Sequence, residues 1–251
     1  MKCVVITVAG IASRFNRDFS DEKLKAIYYE EDYRETILYQ LLNKSSEADK
    51  IIVVGGYLFE ELSQYISERL EPALRDKIEL IYNEFYDSLA SGYSLYVGLQ
   101  HALQDKKWDE IVFVEGDLEI DRESFERVCQ SKKDVFTYTS EIIDSKKAVV
   151  VYEDTDHKYH FIYSTEHGCL KIEDAFYYIY NSGQCWKFTD MDALQEATND
   201  FVKINKADTN LLIIQKYFDT REKEQIEPLH LERWINCNTR EDYKRAKEFW
   251  R

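Results

Sequence analysis

Two rhythms of apolar residues alternate along the first half of the chain. Short, nearly continuous apolar runs rich in β-branched residues occupy residues 2–8 (KCVVITV), 50–54 (KIIVV), 77–82 (KIELIY) and 110–114 (EIVFV). Between them apolar side chains recur at helical spacing. Ile37, Leu38, Leu41 and Leu42 do so within residues 34–43, Phe59, Leu62, Tyr65, Ile66 and Leu70 further on, and Tyr93, Tyr96, Val97 and Leu99 within residues 92–103. Gly10, Gly55-Gly56 and Gly116 close three of the four runs. Buried strands alternating with amphipathic helices predict an α/β fold, a mostly parallel sheet with helices on both faces.

Beyond residue 135 the pattern changes. Residues 135–138, 148–152 and 159–163 read as short strands with few helical stretches between them. The tyrosine-rich residues 176–180 (FYYIY) read as a half-buried strand rather than a stacking platform. Residues 193–202 read as a helix, and residues 211–218 are apolar enough for either helix or strand. Residues 239–250 form a charged helix, with Thr239 and Asp242 spaced as a capping box. With only two prolines and eight glycines, no stretch marks a linker, so residues 1–251 read as a single domain whose second half is β-rich.

Composition narrows the function. Hydrophobic residues make up 44% and aromatics 14%, enough for a sizeable core. A net charge of -15 argues against nucleic-acid or anionic-membrane binding, which call for a basic face. Five cysteines, an odd number with no C-x-x-C pair, argue against a disulfide framework or structural zinc. No apolar run approaches the ~20 residues of a membrane span, and the sequence enters a strand-like run at once, so a cytoplasmic protein is expected.

Four segments carry residues suited to chemistry. Val8-Ala9-Gly10-Ile11-Ala12-Ser13-Arg14 follows the first strand. A small-residue turn there lets backbone N–H groups approach a phosphate chain, while Ser13 and Arg14 add a hydroxyl and a fixed cation. Lys23-Leu24-Lys25-Ala26-Ile27 supplies a lysine that can neutralise transferring phosphate, though the pair also reads as solvated lysines. Asn83-Glu84-Phe85-Tyr86 and Ser91-Gly92-Tyr93-Ser94-Leu95 form a loop into a helix start, where Gly92 and Ser94 can meet a base or ribose and Ser91 can equally cap the helix. Val114-Glu115-Gly116-Asp117 ends the fourth strand in a carboxylate suited to Mg²⁺, with Glu119 and Asp121 as further candidates. Two polar clusters, Tyr163-Ser164-Thr165-Glu166-His167-Gly168 and Asn181-Ser182-Gly183-Gln184-Cys185-Trp186, read either as pocket walls or as hairpin turns. His157 and His160 read as solvated.

In order and spacing these segments resemble the nucleotidyltransferase superfamily of sugar-1-phosphate nucleotidyltransferases, molybdenum-cofactor guanylyl- and cytidylyltransferases and choline-phosphate cytidylyltransferases. Ala9-Gly10-Ile11-Ala12-Ser13-Arg14 is similar to that family's A-G-x-G-S-R, Leu24-Lys25-Ala26-Ile27 to its P-K-x-L, Gly116-Asp117 to its metal-binding G-D, and Asn238-Thr239-Arg240-Glu241-Asp242-Tyr243 to its (D/N)-T-P-E-D-L. The chain departs at Ala12 for glycine, Leu24 for proline and Asn238 for a frequent aspartate; an alanine at position 12 is strained if that position needs positive φ.

The resemblance implies a Rossmann-like, GT-A-like fold, with residues 1–135 as the nucleotide-binding half and 136–251 as the acceptor-binding half. It implies Arg14, Lys25 and Asp117 as catalytic residues, and Ala9, Gly10, Ile11, Ala12, Ser13, Gly92 and Ser94 around the nucleotide. Mg²⁺ would be held by Asp117, with Asn238 as a second contact. The stretch from Asn83 to Leu95 looks most like the cytidylyltransferases, so CTP is the expected triphosphate and a small phosphorylated or phosphonate molecule the acceptor. A homodimer is compatible with the resemblance. Two other classes stay open: a GT-A-type glycosyltransferase, with Asp117-Leu118-Glu119 as its D-x-D, and a non-catalytic nucleotide-binding protein.

Overall fold

The computed structural model describes residues 1–17, 19–105, 107–144, 149–163 and 170–250. In chain order its strands are β1 (Lys2–Thr7), β2 (Lys50–Gly55), β3 (Ile78–Tyr82), β4 (Glu110–Glu115), β5 (Leu118–Ile120), β6 (Asp134–Thr139), β7 (Val149–Asp154), β8 (Tyr159–Tyr163), β9 (Phe176–Phe188), β10 (Ile226–His230) and β11 (Trp234–Asn236). The helices are α1 (Ser13–Asn16), α2 (Ile37–Lys44), α3 (Phe59–Arg69), α4 (Pro72–Arg75), α5 (Ser91–Gln104), α6 (Arg122–Gln130), α7 (Met191–Asn205), α8 (Asn210–Phe218) and α9 (Arg240–Lys247).

Among the described residues, nine strands form one sheet with the path β10-β6-β9-β4-β1-β2-β3. The four strands read as continuous apolar runs are the parallel set β4-β1-β2-β3. Alternate residues of each serve opposite faces. Val4, Ile6, Ile51, Val53, Val112 and Val114 join one core with Leu38, Leu41, Leu62 and Phe125. Cys3, Val5, Ile52, Val54, Ile111 and Phe113 join the other, under Leu95, Leu99, Phe201 and Ile214. In β1, β2 and β4 burial on both faces leaves no polar alternation to read, which is why they stood out as unbroken runs; β3, at the sheet edge, is only part-buried.

The second half extends this sheet. β9 runs antiparallel to both β4 and β6, and Trp186 on it stacks on Phe113 of β4 with ring centroids 5.3 Å apart. β10 lies parallel to β6. The outer half of β9 pairs with β7, which pairs with β8. Phe176, Tyr177, Tyr178 and Ile179 are all exposed, so the expected strand is present but not half-buried. Residues 181–186 lie inside β9 rather than in a hairpin turn. The ambiguous apolar stretch after residue 210 is the helix α8.

Caps set several boundaries. Thr36 accepts from the Tyr39 backbone and starts α2 three residues later than the apolar pattern suggests. Ala90, not Ser91, precedes α5, which therefore begins without a side-chain cap. Thr239 and Asp242 form the expected reciprocal capping box on α9. The strand expected from residue 148 begins at Val149, residue 148 itself lying outside the described residues.

Candidate active site

The neighbours of β1 lie on opposite sides, β2 on one and β4 on the other, so the sheet has its switch point between β1 and β4. In open α/β sheets ligands collect at the carboxyl ends of strands beside such a point. Here the two strands end level, Thr7 opposite Glu115. Gly116 donates to the Thr7 carbonyl at 3.0 Å, and a Cβ on it would lie 2.2 Å from Val8 Cγ1. Only glycine lets the two strand ends approach so closely.

A cavity of about 260 Å³ opens over these ends. Its walls include Ala9, Gly10 and Ala12 from the loop after β1, Lys25 from the following short turn, Ser91 and Ser94 from α5, and Glu115 and Asp117 from the end of β4. The loop is tied to β2, since Val8 N donates to Val54 O at 2.8 Å and Tyr57 N to Ala9 O at 3.1 Å. A Cβ added to Gly10 would meet nothing within 4 Å, so the backbone there is open to a ligand. Ala12 has φ 57 and ψ 35, the left-handed conformation for which glycine is suited. Leu24 has φ −72, the angle a proline ring would impose, so the turn keeps its shape without one.

Segments far apart in sequence meet here. Lys25 Nζ donates to Asp117 Oδ2 at 2.8 Å, joining the lysine turn to the end of β4. Arg14 Nη2 donates to Asn238 Oδ1 at 2.7 Å, joining the glycine loop to the segment before α9. β11 pairs with β5, and Cys237 N donates to Asp117 O at 2.8 Å, so Asn238 and Asp117 sit on one edge. Asn83, buried after β3, donates to Ser94 Oγ at 2.9 Å and accepts from Phe85 N, fixing the loop that enters α5.

Not every expected residue faces the cavity. Gly92 packs α5 against its neighbours: a Cβ there would lie 2.5 Å from Asp208 O and 2.7 Å from the Phe201 ring. Ile11 and Ser13 are exposed on the loop beside the cavity, not on its wall. Glu119 is buried against Lys44 (2.9 Å) and Arg233 (3.5 Å), and Asp121 caps α6, so neither carboxylate joins Asp117. Trp186 and Cys185 lie in the core, so residues 181–186 are not a pocket wall. His157 is exposed, as expected, and pairs with Glu153, while His160 is part-buried and pairs with Asp154. Apart from Tyr163 at the end of β8, the polar cluster of residues 163–168 lies outside the described residues.

Two residues not singled out as site candidates contribute. Glu115 lines the cavity beside Asp117. Asn210, the first residue of α8, donates to Glu115 Oε1 at 2.6 Å. Burial, and then the neighbouring Asp117 carboxylate, push the Glu115 carboxyl up to about 8, against the Asn210 hydrogen bond and the Lys25 charge. Asp117 Oδ1 is buried and has no hydrogen-bond partner among the described residues. A buried oxygen left without a donor costs about 1–3 kcal/mol, and a hard divalent cation such as Mg²⁺ would satisfy it. The residues present therefore fit such an ion, although the described residues hold no cluster of three or more His, Cys, Asp or Glu around one point.

The architecture is that of the nucleotidyltransferases. The chain superposes on the CTP:phosphocholine cytidylyltransferase of Streptococcus pneumoniae with a TM-score of 0.64 at 11% identity, covering 100% of this chain and 99% of that one. It superposes on the inositol-1-phosphate CTP transferase of T. maritima with a TM-score of 0.67 at 12% identity, covering 99% and 95%. A UDP-glucose pyrophosphorylase complexed with UDP-glucose gives 0.68 at 10% identity, covering 100% and 98%. Within that architecture the chain belongs to the family described as Domain of unknown function (DUF6564), whose profile matches residues 21–250. The glycine loop lies just ahead of the matched span. No curated protein matches the sequence significantly.

Proposed function

We propose that this chain transfers a nucleoside monophosphate, from CTP by preference, to the phosphate or phosphonate of a small acceptor and releases pyrophosphate. The observation that carries the reading is the meeting of Lys25 and Asp117 at 2.8 Å on the wall of a cavity between an open glycine loop and the uncapped start of α5. The fold shared with two CTP-using enzymes, and the Asn83–Ser94 link that shapes the α5 entrance, support CTP. The cytoplasmic setting expected from the sequence belongs to the same proposal.

An acceptor oxygen attacks the α-phosphorus in line, the bond from that phosphorus to the bridging oxygen breaks, and pyrophosphate leaves. Such a transfer needs positioning and charge neutralisation more than covalent help. Backbone groups around Ala9, Gly10, Ile11 and Ala12, with Ser13 and the Arg14 guanidinium, hold the β- and γ-phosphates. Lys25 leaves Asp117 for the α-phosphate and stabilises the charge that builds there. Ser94, which already accepts from Asn83, keeps its own O–H to donate to the base or ribose. Asp117 would hold Mg²⁺ through Oδ1, and the ion, when bound, supplies neutralisation of the phosphate oxygens.

Glu119, buried on Lys44, is unavailable as the second carboxylate of a D-x-D motif, which counts against sugar transfer. Pyrophosphate release from each of the four nucleoside triphosphates, with Mg²⁺ and a panel of phosphorylated and phosphonate acceptors, tests the proposal. Release with CTP and one acceptor is expected. No binding of any triphosphate, read as an unchanged melting temperature, would remove the phosphate role of the glycine loop. Binding without release across the panel would favour a non-catalytic nucleotide-binding protein.

A further inference from the structure

We infer that the second carboxylate for the divalent cation is Glu115, and that Asn238 orients Arg14 instead of ligating the ion; this rests on the reading of the cavity as a nucleotidyl-transfer site. The inference follows from the distribution of charge around Asp117. Position 238 is a neutral asparagine whose side-chain oxygen accepts from Arg14 Nη2 at 2.7 Å and whose backbone N–H is taken by Asp242 at 3.1 Å. It adds no negative charge, and its best ligand atom is engaged. Guanidinium has five donors, so Arg14 can keep this bond and still grip phosphate with the others.

Asp117 alone is balanced by Lys25, one charge against one. Before any phosphate binds, a divalent ion replacing that lysine brings one positive charge more than Asp117 alone offsets, so a second carboxyl group beside it favours the ion. The nearby carboxylates are few. Glu119 is 1% exposed and committed to Lys44 and Arg233. Asp121 accepts from Ser124 N at 2.8 Å and Arg233 N at 3.0 Å. Glu115 remains. It lines the same cavity as Asp117 and uses only Oε1, toward Asn210; Oε2 makes no hydrogen bond among the described residues. Asn210 is itself held by Ser91, whose Oγ accepts from its backbone N–H at 3.3 Å. Such an outer partner fixes how a carboxylate ligand is presented. Mg²⁺ is commonly held by one or two carboxylates plus substrate phosphate oxygens, which the Glu115–Asp117 pair supplies.

Mn²⁺ serves as the probe, because the electron paramagnetic resonance of the free aqua ion counts unbound metal without any turnover. Wild type, E115Q, D117N and N238A are titrated with Mn²⁺ in the absence of nucleotide, which would itself chelate the ion. E115Q and D117N are expected to weaken Mn²⁺ at least tenfold, and N238A to stay within twofold of wild type. Wild-type affinity in folded E115Q, or a tenfold loss in N238A, overturns the assignment. Where E115Q does not fold, E115D, which keeps the charge but draws it back by one methylene, takes its place: Mn²⁺ affinity equal to wild type would overturn the Glu115 assignment, while N238A decides the Asn238 part. For the role of Asn238, N238A raises the KM for the triphosphate at least threefold while kcat stays within twofold; an equal fall in kcat at unchanged KM would refute it. The two readings fail separately. Metal bound as expected without pyrophosphate release would sink the transfer activity. Release in wild type, with full Mn²⁺ binding by E115Q, would sink only the Glu115 assignment.

Discussion

Ala12 offers a direct test of how the glycine loop is held. Its φ of 57 and ψ of 35 place a side chain where the left-handed conformation brings Cβ against the following carbonyl. That crowding costs roughly 1–2 kcal/mol for a residue other than glycine. Glycine removes it but gains more freedom in the unfolded chain, worth about 0.5–1 kcal/mol against it. The Ala12 methyl is half-exposed, so little burial is lost. Ala12→Gly should therefore stabilise the protein by about 0.5–1 kcal/mol, a rise of about 1–4 °C in Tm for a chain of this size. Ala12→Val, with a β-branched side chain in the same conformation, should move Tm the opposite way by a larger amount. Urea unfolding gives the free energies and calorimetry the temperatures, both without ligand. Because the cavity wall loses only a methyl, triphosphate affinity in Ala12→Gly should be equal to or better than wild type. A Tm lowered by more than 2 °C in Ala12→Gly would show that the strain is not borne at this residue.

Other outcomes follow from the same geometry. Lys25→Ala should lower turnover at least tenfold, about 1.4 kcal/mol of barrier, in the pyrophosphate assay; unchanged turnover removes Lys25 from the mechanism. Gly116→Ala drives a Cβ toward Val8 Cγ1 and to 2.7 Å from Thr7 O, and should lower the urea midpoint by an amount equivalent to about 1–3 kcal/mol. Lys187, fully buried, bridges Glu110 at 2.5 Å and the Ser131 carbonyl at 2.6 Å; Lys187→Met strands these acceptors and should cost about 3–5 kcal/mol by denaturant titration. Burial alone would raise the Glu110 carboxyl, but hydrogen bonds from Lys187 and Lys2 outweigh it and hold it below the usual carboxylate range. With the folded value depressed, this stabilisation is fully present above the unfolded carboxylate range and is lost as pH falls through the folded one. Acid titration of Tm should then show a shallower slope in Lys187→Met than in wild type, and identical slopes would refute the linkage.

Much of this was legible in the sequence because both faces of the parallel sheet are covered. β1, β2 and β4 read as unbroken apolar runs, and β1, β3 and β4 left their chemistry at their carboxyl ends, where Gly10, Asn83 and Asp117 stand. The pairing of Lys25 with Asp117, 92 residues apart, came only from the fold. β9 was harder. Its inner half is buried between β4 and β6, while its outer half is exposed, and the two meet at a run of small polar residues. There the pairing with β6 shifts register between Phe136 and Tyr138, and Gln184 takes φ 55. Such an irregularity inside a strand has the composition of a turn. Glu115 hid as the polar last residue of a strand, and nothing in the sequence near Asn210 announces a partner 95 residues away. Gly92 shows the reverse failure: a glycine at a helix start suggested ligand contact, but it serves helix packing against Phe201.

The bond from Arg14 to Asn238 spans 224 residues, and the Tyr243 hydroxyl reaches the Glu35 carbonyl across 208. A ribosome delivers the glycine loop first and its clamp more than two hundred residues later. At the 5–20 residues per second of synthesis, that interval is on the order of 10–40 s. For roughly the first half of it β1 waits for β4 to emerge beside it, and throughout it the Arg14 guanidinium lacks its Asn238 partner. Closure of so long a segment is entropically slow, which makes the phosphate cradle a late assembly on an already formed sheet. Nucleotide in the medium would then accelerate none of the early collapse during refolding, and would act only on the final docking of the segment around α9.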